Sequence, residues 1–193
     1  MNLNLIIAGI GGQGINSLAK VLAELLLQSG YHCQFTVHKG GAQSLGSIYA
    51  EIRISDQQSP ILGQGIPQGE LDLLFSLEPW EALRHVSLAH AKTQLWVETK
   101  EMPLFVERSN ERVMEAPRKQ LDAQPITIHW QDYQEIARQK SGTLRMANYY
   151  IGLDCVTALE SLLNKIDLAL FDKLFFKLIK RDLSITQVAS KNA

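Results

Sequence analysis

The chain has 193 residues, 46% hydrophobic and 20% charged, a globular composition long enough for one self-sufficient core and unlike a disordered or low-complexity chain. Its 19 Lys+Arg against 20 Asp+Glu give a net charge of −1, which disfavours a nucleic-acid backbone as partner. Two cysteines, Cys33 and Cys155, cannot build a disulfide framework, and an iron–sulfur cluster takes about four thiolates. Such sparse cysteine usage suits a reducing cytoplasm. No basic region precedes the first apolar run, so no leader is read there. The longest apolar runs are far short of the roughly 20 residues that span a bilayer. The expectation is a soluble cytoplasmic protein with neither a membrane nor a nucleic-acid partner.

In chain order, Leu3 to Ala8 is short, rich in branched residues and closed by Gly9. It predicts a strand buried on both faces, hence central in a mainly parallel sheet. Residues 15–28 change period: Leu18, Val21, Leu22, Leu25 and Leu26 share one helical face, and Gly30 ends that helix. His32 to Val37 reads as a second strand. Ser47 to Ser55 alternates, with Ile48, Ala50, Ile52 and Ile54 opposite Tyr49, Glu51, Arg53 and Ser55, which predicts one solvated face. The link between these two strands is too short for a parallel crossover. Antiparallel pairing and a mixed sheet follow.

Residues 56–70 carry Pro60, Gly63, Gly65, Pro67 and Gly69 and form a loop. Leu71 to Leu77 is an apolar strand, and Pro79 opens a helix over Trp80 to Val86. Gln94 to Val97 is the next strand. Residues 99–119, charged with both signs and holding Pro103 and Pro117, read as an exposed excursion. Ile126 to Trp130 is a strand and Tyr133 to Gln139 a short helix ended by Gly142. The last third is helical: Met146, Tyr149, Tyr150, Leu153 and Val156 line one face, and Phe171, Leu174, Phe175 and Leu178 line the next helix. The fold class is α/β, a Rossmann-like open, mixed, mostly parallel sheet with helices on both faces and a helical C-terminal third. One domain spans residues 1–185, and 186–193 is a polar tail.

Gly9-Ile10-Gly11-Gly12-Gln13-Gly14 fits G-x-G-x-x-G between a strand and a helix. Glycines allow a sharp turn and close ligand approach, and the free N–H groups of the helix start favour an anion. Tight strand–helix packing explains the same glycines equally well. An NAD site wants an acidic residue after the second strand, where this chain has Val37-His38-Lys39-Gly40-Gly41. A P-loop wants Lys after its last glycine, where Ile15 stands. The loop from His38 to Gly46, with Lys39, Gln43 and Ser44 among its glycines, leaves the same sheet edge. Both loops are expected to face one crevice, serving a phosphate or pantetheine group or, more readily, a docking chain. The five histidines show no metal spacing; His85 and His90 are read as lying on different faces of one helix. The stripe of Tyr149, Tyr150, Phe171, Phe175 and Phe176 reads as core or subunit interface.

With these residues in view, the chain resembles the gamma subunit or domain of the 2-oxoacid:ferredoxin oxidoreductases, of the indolepyruvate and pyruvate types. The matching stretches are Gly9 to Gly14, Gly40-Gly41-Ala42-Gln43, Ser47 to Ser55, Pro67 to Arg84, and Arg145-Met146-Ala147-Asn148 followed by Gly152. The resemblance implies a subunit without catalytic residues of its own. Its complex would decarboxylate a 2-oxoacid on thiamine diphosphate, pass electrons through iron–sulfur clusters to ferredoxin and release an acyl-CoA. Thiamine diphosphate and clusters would sit on partner subunits. This chain would pack on the thiamine-binding part and help position coenzyme A, through Gly9, Gly11, Gly12, Gln13, Gly14, His38, Lys39, Gly40, Gln43, Ser44 and Asn148. In isolation it would form a homodimer. The family's Ala-Gln is usually followed by Arg-Gly-Gly; here Ser44-Leu45-Gly46 follows, and Lys39 supplies only a mobile point charge in place of a guanidinium. A free-standing NADP- or flavin-binding module is the rival reading.

Overall fold

The first strand, β1 (Asn2–Ile10), is buried from Leu3 onward, because branched residues on both of its faces need cover on both sides. In this computed structural model, which describes residues 2–40, 46–56, 61, 63, 65–102 and 116–178, β1 lies inside a six-stranded sheet. The other strands are β2 (His32–Lys39), β3 (Ser47–Ser55), β4 (Leu71–Ser76), β5 (Ala89–Glu98) and β6 (Thr127–Gln131). Their order is β2-β3-β1-β4-β5-β6. The pairs β1/β4, β4/β5 and β5/β6 are parallel; β1/β3 and β2/β3 are antiparallel. The mixed, mostly parallel sheet expected from the short β2–β3 link is the one observed.

Helices cover both faces. On one side α1 (Ile15–Gln28), α4 (Tyr133–Ser141) and α5 (Ala147–Leu162) pack on Leu5, Ile7, Leu73 and Phe75. Helical residues 168–178, here α6, add Phe171 and Phe175 to that core. On the other side α2 (Pro79–His85) and α3 (Pro117–Asp122) bring Ala82 and Leu121 against Ile6, Leu74, Leu95 and Val97. Every apolar residue assigned to the α1 face is buried. Gly30 and Gly142, with φ of 86° and 71°, follow the ends of α1 and α4 in left-handed conformations.

Four local expectations change. The Tyr49 face of β3 is half-covered rather than solvated, and Ser55 is buried. The loop before β4 crosses it, with Ile66 buried and Arg53 Nη1 donating to the Gly63 carbonyl at 3.1 Å. Next, β5 begins at Ala89, so His90 lies on a strand and not on the helix of His85. There the His90 N–H donates to Thr93 Oγ1 at 2.7 Å and the Thr93 hydroxyl donates to the Leu71 carbonyl at 2.6 Å. The β4/β5 register shifts at that point, and such an irregularity hides the strand's period. Third, Pro117 opens α3 and is buried, so the end of the charged segment is packed, and Leu121 just beyond it is fully buried. Residues 103–115, like the tail at 186–193, lie outside the described residues.

The fourth change is the orientation of α5. Its deepest residues are Ile151, Gly152, Cys155, Val156 and Leu159, while Tyr149, Tyr150 and Leu153 are only partly buried. The Tyr149 ring faces α6, at 5.0 Å from Phe175 and 5.3 Å from Phe176. A helix pressed between α1 and α6 has two apolar sides, and its period marks neither one alone.

Candidate functional site

The site grows from the end of β1. After Ile10 the chain turns through Gly12 and Gly14, with φ of 98° and 77°, left-handed values that other residues rarely adopt. Gln13 folds back and staples this turn. Its Oε1 accepts from the Ile10 N–H at 2.8 Å, and its Nε2 donates to the Leu77 carbonyl just beyond β4 at 2.9 Å. Gly9 lies beneath that amide, where a Cβ would meet Gln13 Oε1. Asn148, buried on the first turn of α5, fills the space beside Gly14 and donates to its carbonyl at 3.5 Å. Gly11 N–H donates to the Gly46 carbonyl at 2.9 Å, tying the turn to the start of β3.

Because Gln13 closes two otherwise unanswered backbone groups, Gln13→Ala is expected to cost about 2 kcal/mol. Hydrogen exchange should rise at Ile10, whose N–H loses its acceptor, and across residues 11–14. Unchanged exchange at Ile10 would show that Gln13 is no staple.

Above the turn lies an open cleft of about 360 Å³ at the carboxyl ends of the parallel strands, where open α/β sheets bind ligands. Its floor is Gly11, Gly12 and Gln13, its walls are Ile10, Leu77, Met102 and Leu144, and Gln134, Arg145 and Ala147 complete it. Gln134 is held by the end of β5: buried Glu98 accepts the Gln134 N–H at 3.0 Å through one oxygen and the Lys100 N–H at 3.0 Å through the other. Burial raises the Glu98 carboxyl above its ordinary value, and these N–H groups oppose the shift. Arg145 sits with Leu144 on a 3₁₀ turn (Leu144–Met146) whose N-cap, Thr143, accepts the Arg145 N–H.

Beside the cleft runs a second polar cluster around α2. Glu78 caps that helix, its Oε2 accepting from the N–H groups of Trp80 at 2.6 Å and Glu81 at 3.1 Å. It is 1% exposed. Burial pushes its carboxyl up to about 7, against the pull of the Glu81, Trp80 and Met102 N–H groups. At the other end of α2, burial together with the charges of Arg84 and His38 pushes His85 down to about 4. Tyr49 lies between two imidazoles, its centroid 4.5 Å from His38 and 4.4 Å from His85.

His38 and Lys39 therefore belong to β2, not to a loop. Strand alternation sends them to opposite faces: His38 stacks on Tyr49 and lies 3.7 Å from Glu51, while Lys39 is exposed. Gly40 N–H donates to the Ser47 carbonyl, extending the β2/β3 ladder. None of the three lines the cleft. Gln43 and Ser44 lie outside the described residues. Of the expected set, Gly11, Gly12 and Gln13 form the floor, and Gly9, Gly14 and Asn148 support it from below.

A sequence-family model, pyruvate ferredoxin/flavodoxin oxidoreductase, matches residues 4–181. The chain belongs to this family. Among its relatives, subunit IorB of indolepyruvate oxidoreductase from Archaeoglobus fulgidus is 31% identical over 102 residues, 53% of this chain and 49% of that protein. The Pyrococcus horikoshii IorB is 37% identical over 84 residues, 44% of this chain and 40% of its own. The matched part thus spans about half the length of these relatives, or less. Pyruvate oxidoreductase subunit PORC of Thermotoga maritima has the same fold, with a TM-score of 0.63 at 20% identity over 89% of this chain and 82% of that one. So has the gamma subunit of a keto/oxoacid ferredoxin oxidoreductase from Geobacter sulfurreducens, with a TM-score of 0.56 at 18% identity over 94% and 99%. The 2-oxoglutarate:ferredoxin oxidoreductase of Magnetococcus marinus, solved with 2-oxoglutarate, coenzyme A and succinyl-CoA, gives a TM-score of 0.54 at 13% identity over 93% and 30%.

In this family member the cleft draws on Leu77, Met102, Gln134, Leu144 and Arg145, none of which the sequence marks as a site residue. Arg145 stands in a stretch that matches the family pattern, but its charge points to the cleft only once α5 is folded against β1. Among the described residues no helix is long and apolar enough to cross a membrane. Nor does any group of three His, Cys, Asp or Glu among them form a metal site.

Proposed function

We propose that the chain is the gamma-type subunit, one domain over residues 1–185, of a cytoplasmic 2-oxoacid:ferredoxin oxidoreductase of the indolepyruvate type. The complex oxidatively decarboxylates a 2-oxoacid to an acyl-CoA and hands the electrons to ferredoxin. The observation that carries this reading is the family match across residues 4–181. The names of the IorB relatives support the choice of substrate.

Thiamine diphosphate and iron–sulfur clusters belong to partner chains in this reading. Cys155 is buried, and burial pushes the Cys33 thiol up to about 12, so neither thiol is poised to act as a thiolate. This subunit packs on the thiamine-binding chain and helps position coenzyme A over Gly11, Gly12 and Gln13. The apolar walls of the cleft suit a pantetheine arm, and glycine lets that arm approach the backbone. Coenzyme A in the Magnetococcus complex supports the choice of co-substrate.

The test is affinity capture of the tagged chain from its native cells, with partners identified by mass and the eluate assayed for dye reduction dependent on a 2-oxoacid. A co-purifying larger chain that carries thiamine and clusters, with that activity, is the expected result. A lone, colourless homodimer without activity would sink the reading. Micromolar binding of NADPH or FAD by that lone chain would favour a nucleotide-binding module instead.

A further inference from the structure

We infer that the cleft is built for an organic anion, its charged end gripped by Arg145 and its apolar stem lying along Met102 and Leu144. The inference rests on the proposed function only for where such an anion comes from.

Arg145 differs from the other described arginines, each of which has a side-chain partner. Arg84 pairs with Glu81, Arg138 with Glu135, Lys100 with Asp132 and Arg118 with Asp122. Among the described residues Arg145 has no ion pair and no side-chain hydrogen bond, yet it borders the 360 Å³ cleft. Among the described residues no carboxylate lines that cleft to neutralise it. A guanidinium with five donors and no acceptor binds carboxylate or phosphate in bidentate fashion.

The local field has the same sign. Gly14 starts α1 without a side-chain cap, and the first turn of α1 carries no acidic residue. The positive end of a 14-residue helix is therefore left uncompensated beside the floor. The remaining lining selects the rest of the ligand. Leu144 is 54% exposed beside Arg145, and half-buried Met102 presents further apolar surface. An inorganic anion would leave those walls wet, whereas an anion on an apolar stem covers them.

Two sources share that chemistry, an organic carboxylate and the phosphate end of a pantetheine compound. Calorimetric titration of the purified chain with phenylacetate, coenzyme A, uncharged pantetheine and inorganic phosphate separates them. Phenylacetate, coenzyme A or both should bind more tightly than pantetheine or inorganic phosphate. Arg145→Ala should weaken that binding about tenfold or more, as loss of a charge-assisted pair does. It should also abolish the salt dependence, and Arg145→Lys should restore part of both. Leu144→Ala should weaken binding with its salt dependence intact. Binding of phenylacetate alone assigns the head to a carboxylate, and of coenzyme A alone to a phosphate.

The inference is overturned if no probe binds. It is equally overturned if Arg145→Ala, folded by circular dichroism, binds as well as the parent. Such a failure together with successful capture of partners leaves the subunit reading standing. Arginine-dependent binding by a chain that captures no partner does the reverse.

Discussion

Gly152→Val is expected to destabilise the protein by about 3 kcal/mol or more, read as a lower urea midpoint. A Cβ at this position would lie 2.7 Å from Phe171 Cζ and 2.8 Å from Leu18 Cδ1, both on fully buried side chains. Gly152 is where α5 is pressed at once by α1 and α6, so added methyls must displace one of them. Overpacking a closed core costs about 1–3 kcal/mol, sometimes more, and valine adds two methyls beyond the Cβ. In an open helix, Gly→Ala would instead gain up to about 1 kcal/mol. Gly152→Ala should therefore lose stability or at best break even. Combining it with Phe171→Leu, which withdraws the ring tip, should cost less than the two single changes added together. If Gly152→Ala raised the urea midpoint, the close approach of the three helices would be disproved.

The second large effect is a hidden pH dependence at the two ends of α2. Glu78 holds its proton up to about 7 in the folded chain, against an ordinary 4.5. Between those values the native state binds the extra proton, so its contribution to stability falls as pH rises. His85 is the mirror case, pushed down to about 4 from an ordinary 6.5. Between those values the unfolded chain binds the extra proton, and stability rises with pH. Each slope approaches about 1.4 kcal/mol per pH unit. Across the shared window, about pH 4.5 to 6.5, they oppose one another, and the parent protein hides both. Glu78→Gln keeps an acceptor for the α2 cap and removes the falling slope. Its stability relative to the parent should rise by about 2–3 kcal/mol from pH 4.5 to 6.5. His85→Phe keeps a ring against Tyr49 and should fall by a similar amount over the same range. Differences from the parent cancel every other titrating group, Glu98 included. Flat difference curves for both variants would mean that neither group titrates as its burial dictates.

The same two residues show how far sequence reading reaches. Pro79 announces α2, and Glu78 before it occupies the capping position. No spacing announces that Glu78 is 1% exposed or that Tyr49 lies between His38 and His85. Those facts depend on β3 and α2 meeting across a sheet whose strands are distant in sequence. For His38 and Lys39 the limit is sharper. Pairing with Tyr49 and Ile48 of β3 carries β2 on to Lys39, and the pleat then separates two neighbours that would share a crevice on a free loop.

By itself the sequence determined what local rules govern. Branched apolar runs made β1 and β4, a 3.6-residue period made α1, and the short β2–β3 link made that pair antiparallel. Glycines at 12 and 14 made the turn, since their left-handed backbone is a property of the residue. The family was legible for the same reason, because its pattern resides in those local segments. Tertiary structure alone decided the cleft. Its lining comes from residues 10–13, 77, 102, 134, 144, 145 and 147, segments that meet only after the sheet has ordered β1 beside β4 and α5 has closed over the turn. Whether Arg145 is one more surface cation or the charge of a binding site depends on which carboxylates fold beside it, and among the described residues none does.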